Sequence, residues 1–197
     1  ATAAATQPSP SSSRVPSSIP ASHASAPVDQ GTAISGPAGD TASGGLSGPF
    51  ALTVSMTSGT ISTDVAPISV RSHGVVDPPH NTAQQWNTAA WVEQSTYPAT
   101  PAKGTTYVYG HACHYHVCPF TNLVDAKPGD QIRVKTRAGT RVYTIARTGL
   151  SPKSARSLPS WASDSTVPNR IVLVTCAYEQ GDTSTNNIVV MALLTRE

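Results

Sequence analysis

The sequence predicts an all-β domain of about eight short strands closed into a barrel, with short helices and an extended linker in front of it. Three observations carry this. Seventeen Pro, 14 Gly and an abundance of Ser, Thr and Val suit short strands and turns rather than long helices. Apolar and polar residues alternate in several stretches, as in Leu52-Thr53-Val54-Ser55-Met56, which is the period of a half-buried strand. Turn signals, such as Lys127-Pro128-Gly129-Asp130 and Ala138-Gly139, separate these stretches. A barrel is the simplest way for many short strands to leave no open edge.

The elements follow in order. Residues 1–48 are mostly Ala, Ser, Pro, Thr and Gly, with no Phe, Trp or Tyr before Phe50. Such a segment buries too little apolar surface to offset the entropy of ordering it, so it is expected to be a linker. The globular domain is expected over 49–197. Its first strand runs through Leu52–Met56, and Ile68-Ser69-Val70 is a second, short one. Gly74-Val75-Val76-Asp77-Pro78-Pro79 turns into a loop, and one helical turn is expected within Gln84–Glu93, which carries Trp86 and Trp91. Residues 105–110 form a strand that ends at His111. A short helix over Phe120–Val124 precedes the Lys127–Asp130 turn. Strands through Ile132–Val134 and Val142–Ile145 make a hairpin about Ala138-Gly139. A Pro- and Ser-rich loop runs from Thr148 to Pro168, and loops of that length are usually functional or disordered. Residues 170–176 are the most continuously apolar strand. Ile188–Leu194 close the chain.

Charge excludes some partners. The net charge is +2 with only 12% charged residues, and no run of Lys or Arg is present to track phosphates, so nucleic acid is not expected to bind. No stretch of 18 apolar residues occurs, and the start Ala1-Thr2-Ala3-Ala4-Ala5 has neither the basic nor the apolar part of a signal peptide. The first residue is not Met, so the chain is read as a processed or truncated piece of something longer.

Of the three cysteines, Cys113 and Cys118 are close in sequence and Cys176 is distant. In an oxidising compartment the simplest arithmetic joins Cys113 to Cys118 and leaves Cys176 free. A free cysteine is either an inert, buried small apolar group or a reactive thiol. The placement of Cys176 favours chemistry. It ends a buried strand, Leu173-Val174-Thr175-Cys176, while His111 ends another, Tyr107-Val108-Tyr109-Gly110-His111. Strand ends are rigid supports for a nucleophile and its proton partner. The segment from His111 to Cys118, with His114 and His116, is also dense in metal ligands. Its spacing is too compressed for a standard zinc finger, so it stands between a zinc site and a disulfide-pinned loop. His73 and His80 have no partner in the sequence and read as plain loop residues. Acidic residues are too few and scattered for calcium, and no cofactor or metal is expected.

Four segments in this order and spacing resemble the sortase family, most closely its actinobacterial classes E and F. They are Gly74-Val75-Val76-Asp77-Pro78-Pro79; Gly104-Thr105-Thr106-Tyr107-Val108-Tyr109-Gly110-His111; Phe120-Thr121-Asn122-Leu123 followed by Pro128-Gly129-Asp130; and Leu173-Val174-Thr175-Cys176. The resemblance implies a closed eight-stranded β-barrel with His111 at the end of strand four and Cys176 at the end of strand seven. It implies a cysteine transpeptidase that cuts a sorting signal between Thr and Gly. Cys176 would be the nucleophile and His111 the acid and base. The partners it implies are the sorting-signal peptide of secreted surface proteins and an amine acceptor of peptidoglycan or pilin. The implied location is the extracytoplasmic face or cell wall of a Gram-positive, actinobacterial cell. Membrane contact would come only through an N-terminal anchor that this chain lacks.

The family also places an Arg at the start of strand eight to stabilise the oxyanion. This chain departs there: between Cys176 and Arg196 it has no Arg or Lys, and the matching stretch reads Thr185-Asn186-Asn187. Asn186 and Asn187 are the expected substitutes, with a turn as their plainer role and Arg147 as the fallback donor. Arg170 lies six residues up its strand from Cys176, about 20 Å away. Two other functions remain in view. An L,D-transpeptidase also uses Cys and His on a β scaffold, but its Ser-x-Gly-Cys followed by Arg is not matched by Thr175-Cys176-Ala177-Tyr178. A non-catalytic cell-wall module binding zinc through the His–Cys loop is the other.

Overall fold

The computed structural model describes residues 48–70, 76–99, 102–114, 117–155, 157–177 and 184–197. The linker expected over 1–48 lies outside these except for Gly48, as do His73, Gly74-Val75, Tyr115-His116 and Tyr178. The described chain forms β1 (Phe50–Met56), β2 (Gly59–Ile68), α1 (Ala83–Trp86), β3 (Ala89–Val92), β4 (Thr105–Tyr109), a 3₁₀ turn (Thr121–Asp125), β5 (Gln131–Thr136), β6 (Gly139–Pro152), α2 (Ser160–Ser163), β7 (Arg170–Ala177) and β8 (Asn186–Arg196).

The strands close into one barrel in the order β1-β2-β3-β4-β7-β8-β6-β5. β2 with β3 and β4 with β7 pair in parallel; the other neighbours are antiparallel. Parallel neighbours need a long crossover. The one from β4 to β7 contains the 3₁₀ turn, the β5–β6 hairpin and α2. That crossover brings His111 and Cys176, 65 residues apart, to adjacent strand ends.

Alternation along the strands divides the apolar residues into two sets. Leu52, Val54, Val108, Ile132, Val134, Ile171, Leu173 and Val190 fill the barrel with Phe120 and Leu123 from the 3₁₀ turn. Val172, Val174 and Val189 face the other way and pack outside the barrel with Ala162, Tyr107, Tyr109, Leu158, Trp161 and Met191. β7 is buried on both faces because α2 and its loop cover the outside, which explains its continuous apolar run.

Three elements differ from expectation. β2 spans ten residues, although only Ile61, Thr63 and Val65 turn inward and the inward Thr63 breaks the apolar period. Its hydroxyl donates to the Asn87 carbonyl, which satisfies it there. β3 follows α1 as four fully buried residues, too short and uniformly apolar to show a period. β6 runs on to Pro152, so the first five residues of the expected Thr148–Pro168 loop are strand. The hairpin at Ala138-Gly139 forms, with Gly139 at φ 134° where a side chain would be strained.

Candidate active site

The outer faces of β4, β7, β8 and β6 make a ladder of side-chain rows. Tyr107 pairs with Val172, Val172 with Met191, and Met191 with Arg147. The next row is Tyr109, Val174, Val189 and Gly149. In the third row Cys176 pairs with Asn187 and Asn187 with Ser151. The β4–β7 ladder continues past Tyr109, since the Gly110 N–H donates to the Val174 carbonyl at 3.1 Å and the Thr175 hydroxyl donates to the Gly110 carbonyl at 2.8 Å. His111 therefore follows Tyr107 and Tyr109 on the outer face and begins the row that Cys176 occupies. Adjacent strands lie about 4.8 Å apart.

Gly110 is required by what lies under it. A Cβ there would meet the Phe120 ring at 2.6 Å. Phe120 is fully buried in the barrel, and its N–H donates to the His111 carbonyl at 2.9 Å. Cys113 and Cys118 lie between them in sequence and are joined as a disulfide with Cα atoms 5.4 Å apart. The backbone N–H groups of both cysteines donate to the Thr121 hydroxyl, at 3.2 and 2.8 Å. The two sulfurs are bonded to one another, and among the described residues no three His, Cys, Asp or Glu side chains gather as a metal site.

Around the His111 ring, Nε2 donates to the Pro78 carbonyl at 2.9 Å, which makes Nε2 the protonated nitrogen. The Trp86 ring lies 4.5 Å away, centroid to centroid, and the His80 ring 5.8 Å away edge-on. His80 Nδ1 approaches the same Pro78 carbonyl at 3.3 Å. His80 thus belongs to the site rather than to a plain loop. The short helix α1 presents Trp86, and Thr82 caps it by accepting from the Gln85 N–H.

Cys176 is half-buried and is the free cysteine of the chain. Lys153, just beyond β6, donates from Nζ to its Sγ at 3.2 Å. In sequence Lys153 falls within the expected Thr148–Pro168 loop, where no strand period points to it. Asn187 lies directly across from Cys176. Asn186 is opposite Ala177, on the side of the barrel interior, and its amide donates to the Thr185 hydroxyl at 3.2 Å. Arg147, the fallback donor, sits with its guanidinium 4.8 Å over the Trp161 ring. It pairs with Met191, in the Val172 row, four residues or about 13 Å from Cys176.

An apolar cleft of about 260 Å³ opens on the same face beside the His–Cys row. Val70, Val76 and Val92 form one wall, Tyr107 and Tyr109 the floor, and Leu158 and Ser163 the other wall. Burial pushes the Tyr109 phenol up to about 12, and burial likewise raises Tyr107, so both stay neutral. The Tyr107 hydroxyl donates to the Ala162 carbonyl at 2.8 Å and ties α2 to the floor.

Arg170 fixes that second wall. It is 4% exposed, donates from Nε to the Thr105 hydroxyl at 2.9 Å and from Nη1 to the Trp161 carbonyl at 3.1 Å, and also reaches the Asp164 carbonyl. Hydrogen bonds to a charged group contribute about 1.5–3 kcal/mol each. Arg170→Met loses these bonds but gains apolar packing and sheds a buried charge, so it should destabilise the domain by a net of roughly 3 kcal/mol and lower Tm by about 6–12 °C in a thermal melt. A Tm within about 2 °C of the parent would contradict this role.

The sortase domain family matches residues 65–195 of the chain. Solved structures share the fold. Sortase A from Corynebacterium diphtheriae (a lid mutant) is 16% identical with a TM-score of 0.56, over 75% of this chain and 70% of that one. Sortase A of Listeria monocytogenes is 20% identical with a TM-score of 0.55, over 75% of this chain and 86% of that one. Sortase C-1 from Actinomyces oris is 12% identical with a TM-score of 0.55, over 74% of each. No curated protein matches the chain significantly. A closed eight-stranded barrel with a cysteine and a histidine on adjacent strand ends is the frame of a cysteine transpeptidase. The chain belongs to the sortase family, whose members are cysteine transpeptidases acting on sorting signals and amine acceptors at the Gram-positive cell surface. Among the described residues no helix is long and apolar enough to cross a membrane.

Proposed function

We propose that the protein cleaves a Leu-Pro-x-Thr-Gly-like sorting signal between Thr and Gly and joins the Thr carbonyl to an amine of peptidoglycan or pilin. The observation that carries this is the row beginning at His111 and containing Cys176, with an apolar cleft beginning one row away. Three extended residues reach about 10 Å. A Leu-Pro pair three residues before the scissile bond would therefore lie against Tyr107 and Tyr109.

The thiol proton of Cys176 passes to His111, and the thiolate sulfur then bonds to the Thr carbonyl carbon. His111 then gives a proton to the Gly nitrogen as the C–N bond breaks, which leaves a thioester and a free amine. The incoming amine loses a proton to His111, attacks the thioester carbon and expels the Cys176 sulfur, which recovers the proton. One amide bond breaks and one forms, and no oxidant or cofactor takes part.

Asn187, across from Cys176, is the neutral donor near the developing oxyanion, and Asn186 is not. Asn187→Ala should lower kcat by about 10²–10³ with little change in KM, the usual loss for one such donor. Asn186→Ala should leave kcat near normal. Steady-state rates of both variants decide between them, and a normal kcat in Asn187→Ala would move the donor elsewhere.

The same reading makes 49–197 the catalytic domain and 1–48 the linker that holds it away from the membrane of a Gram-positive, actinobacterial cell, in the manner of classes E and F. Incubation with Leu-Pro-x-Thr-Gly and Leu-Ala-x-Thr-Gly peptide libraries plus a small amine, followed by mass spectrometry, tests it. The expected product ends at Thr and carries the amine. Intact peptides after long incubation, with the protein folded, would overturn it.

A further inference from the structure

Lys153 is the next outward residue after Ser151 in the third row. Pro152 pairs with Asn186, and the Lys153 N–H donates to the Thr185 carbonyl at 2.9 Å, so the β6–β8 pairing carries one step past the strand. The side chain then folds back along the row until Nζ donates to the Cys176 sulfur at 3.2 Å. Two other cations on this face are engaged elsewhere: Arg147 over Trp161, and Arg170 with Thr105, Trp161 and Asp164. The strand that follows Cys176 brings no cation to the site, since Asn186 and Asn187 open β8. The charge arrives instead from β6, across β8.

We infer that Lys153 is the cationic catalytic residue of this site, holding the charge on the Cys176 thiolate and then on the oxyanion. As Sγ bonds to the carbonyl carbon, the negative charge moves from sulfur to the carbonyl oxygen. An ammonium has three donors on a flexible stem and can follow that movement without giving up a proton. Proton transfer remains with His111. A charge-assisted hydrogen bond is roughly twice as strong as one from a neutral amide such as Asn187. The inference rests on Cys176 being the nucleophile.

The first test measures charge at the sulfur and needs no substrate. The full chain and its Lys153→Met, Lys153→Gln and Lys153→Arg variants are treated with two methanethiosulfonates, one bearing a sulfonate and one a trimethylammonium group. In each reaction the Cys176 sulfur displaces methanesulfinate and forms a mixed disulfide. The amount of thiolate and the access to it affect both reagents, so the ratio of anionic to cationic rates isolates local charge. Removing one positive charge about 6 Å away should lower that ratio about tenfold at low ionic strength. Lys153→Met and Lys153→Gln should both show the fall; Lys153→Arg should keep the ratio within about twofold of the parent. Lys153 is solvent-exposed, so these variants are expected to fold.

The second test is turnover of the Thr-Gly peptide. Lys153→Met should lower kcat about 10²-fold with KM little changed, and Lys153→Arg should recover much of it. An unchanged reagent ratio in folded Lys153→Met would overturn the contact, and an unchanged kcat would overturn the catalytic role. If the parent itself turns over no peptide, the transpeptidase reading fails instead, and the reagent ratio still decides where the charge lies.

Discussion

Cys176→Ala should abolish both peptide cleavage and transfer to an amine while the domain stays folded. As the proposed nucleophile, Cys176 has no substitute: the other two cysteines are joined as a disulfide on the neighbouring loop. Loss of a covalent nucleophile costs on the order of 10⁴ or more in kcat. The fold should survive because the sulfur is half-buried on the outer face, and the barrel interior is filled by the alternate residues of β7. Its removal leaves no sealed cavity, so Tm should stay within a few degrees. Binding of the signal peptide should persist, since the cleft lies a row away. A folded Cys176→Ala protein that still moves peptide onto an amine would remove the residue from the mechanism.

His111→Ala should come next in severity. The Gly nitrogen of the signal cannot leave without a proton, and a positioned general acid contributes about 10²–10⁴. The size of the loss should depend on the leaving group. An aryl ester of the same peptide releases a phenolate that needs no proton, so its acylation should lose only what His111 supplies by taking the Cys176 proton, and less than that of the amide. Equal losses on ester and amide would show that His111 is not the acid that protonates the leaving nitrogen.

The parts of this site that sequence could show are those carried by strand period and by the order of motifs. β4 and β7 are legible because aromatic and β-branched residues dominate them, and a residue of distinctive chemistry stands near the end of each, His111 two residues past β4 and Cys176 one residue before the end of β7. Their strand-end positions suggest pairing His111 with Cys176, and the resemblance to sortases implies the role of each. Neither period nor motif order shows which residue from a third strand folds back over the sulfur. Lys153 was hidden because Thr148-Gly149-Leu150-Ser151-Pro152 reads as a breaker-rich loop, although it completes a strand. Gly149 is there because its face is covered: a Cβ would meet the Trp161 ring at 3.2 Å. His80 was missed for the same kind of reason. Its significance lies in sharing the Pro78 carbonyl with His111, a contact across 31 residues that no local pattern encodes. Asn186 and Asn187 were indistinguishable in sequence. The β7–β8 register separates them, since one residue of shift exchanges the faces of a strand.

The central claim is a thioester on Cys176. Intact-mass spectrometry of the protein mixed with a Leu-Pro-x-Thr-Gly peptide, quenched in acid before an amine is added, measures it directly. The expected spectrum shows an added mass equal to the peptide acyl group ending at Thr, located on the fragment that contains Cys176 and released by hydroxylamine. Cleavage of the peptide with no such adduct, or with the acyl group on any other residue, would contradict it.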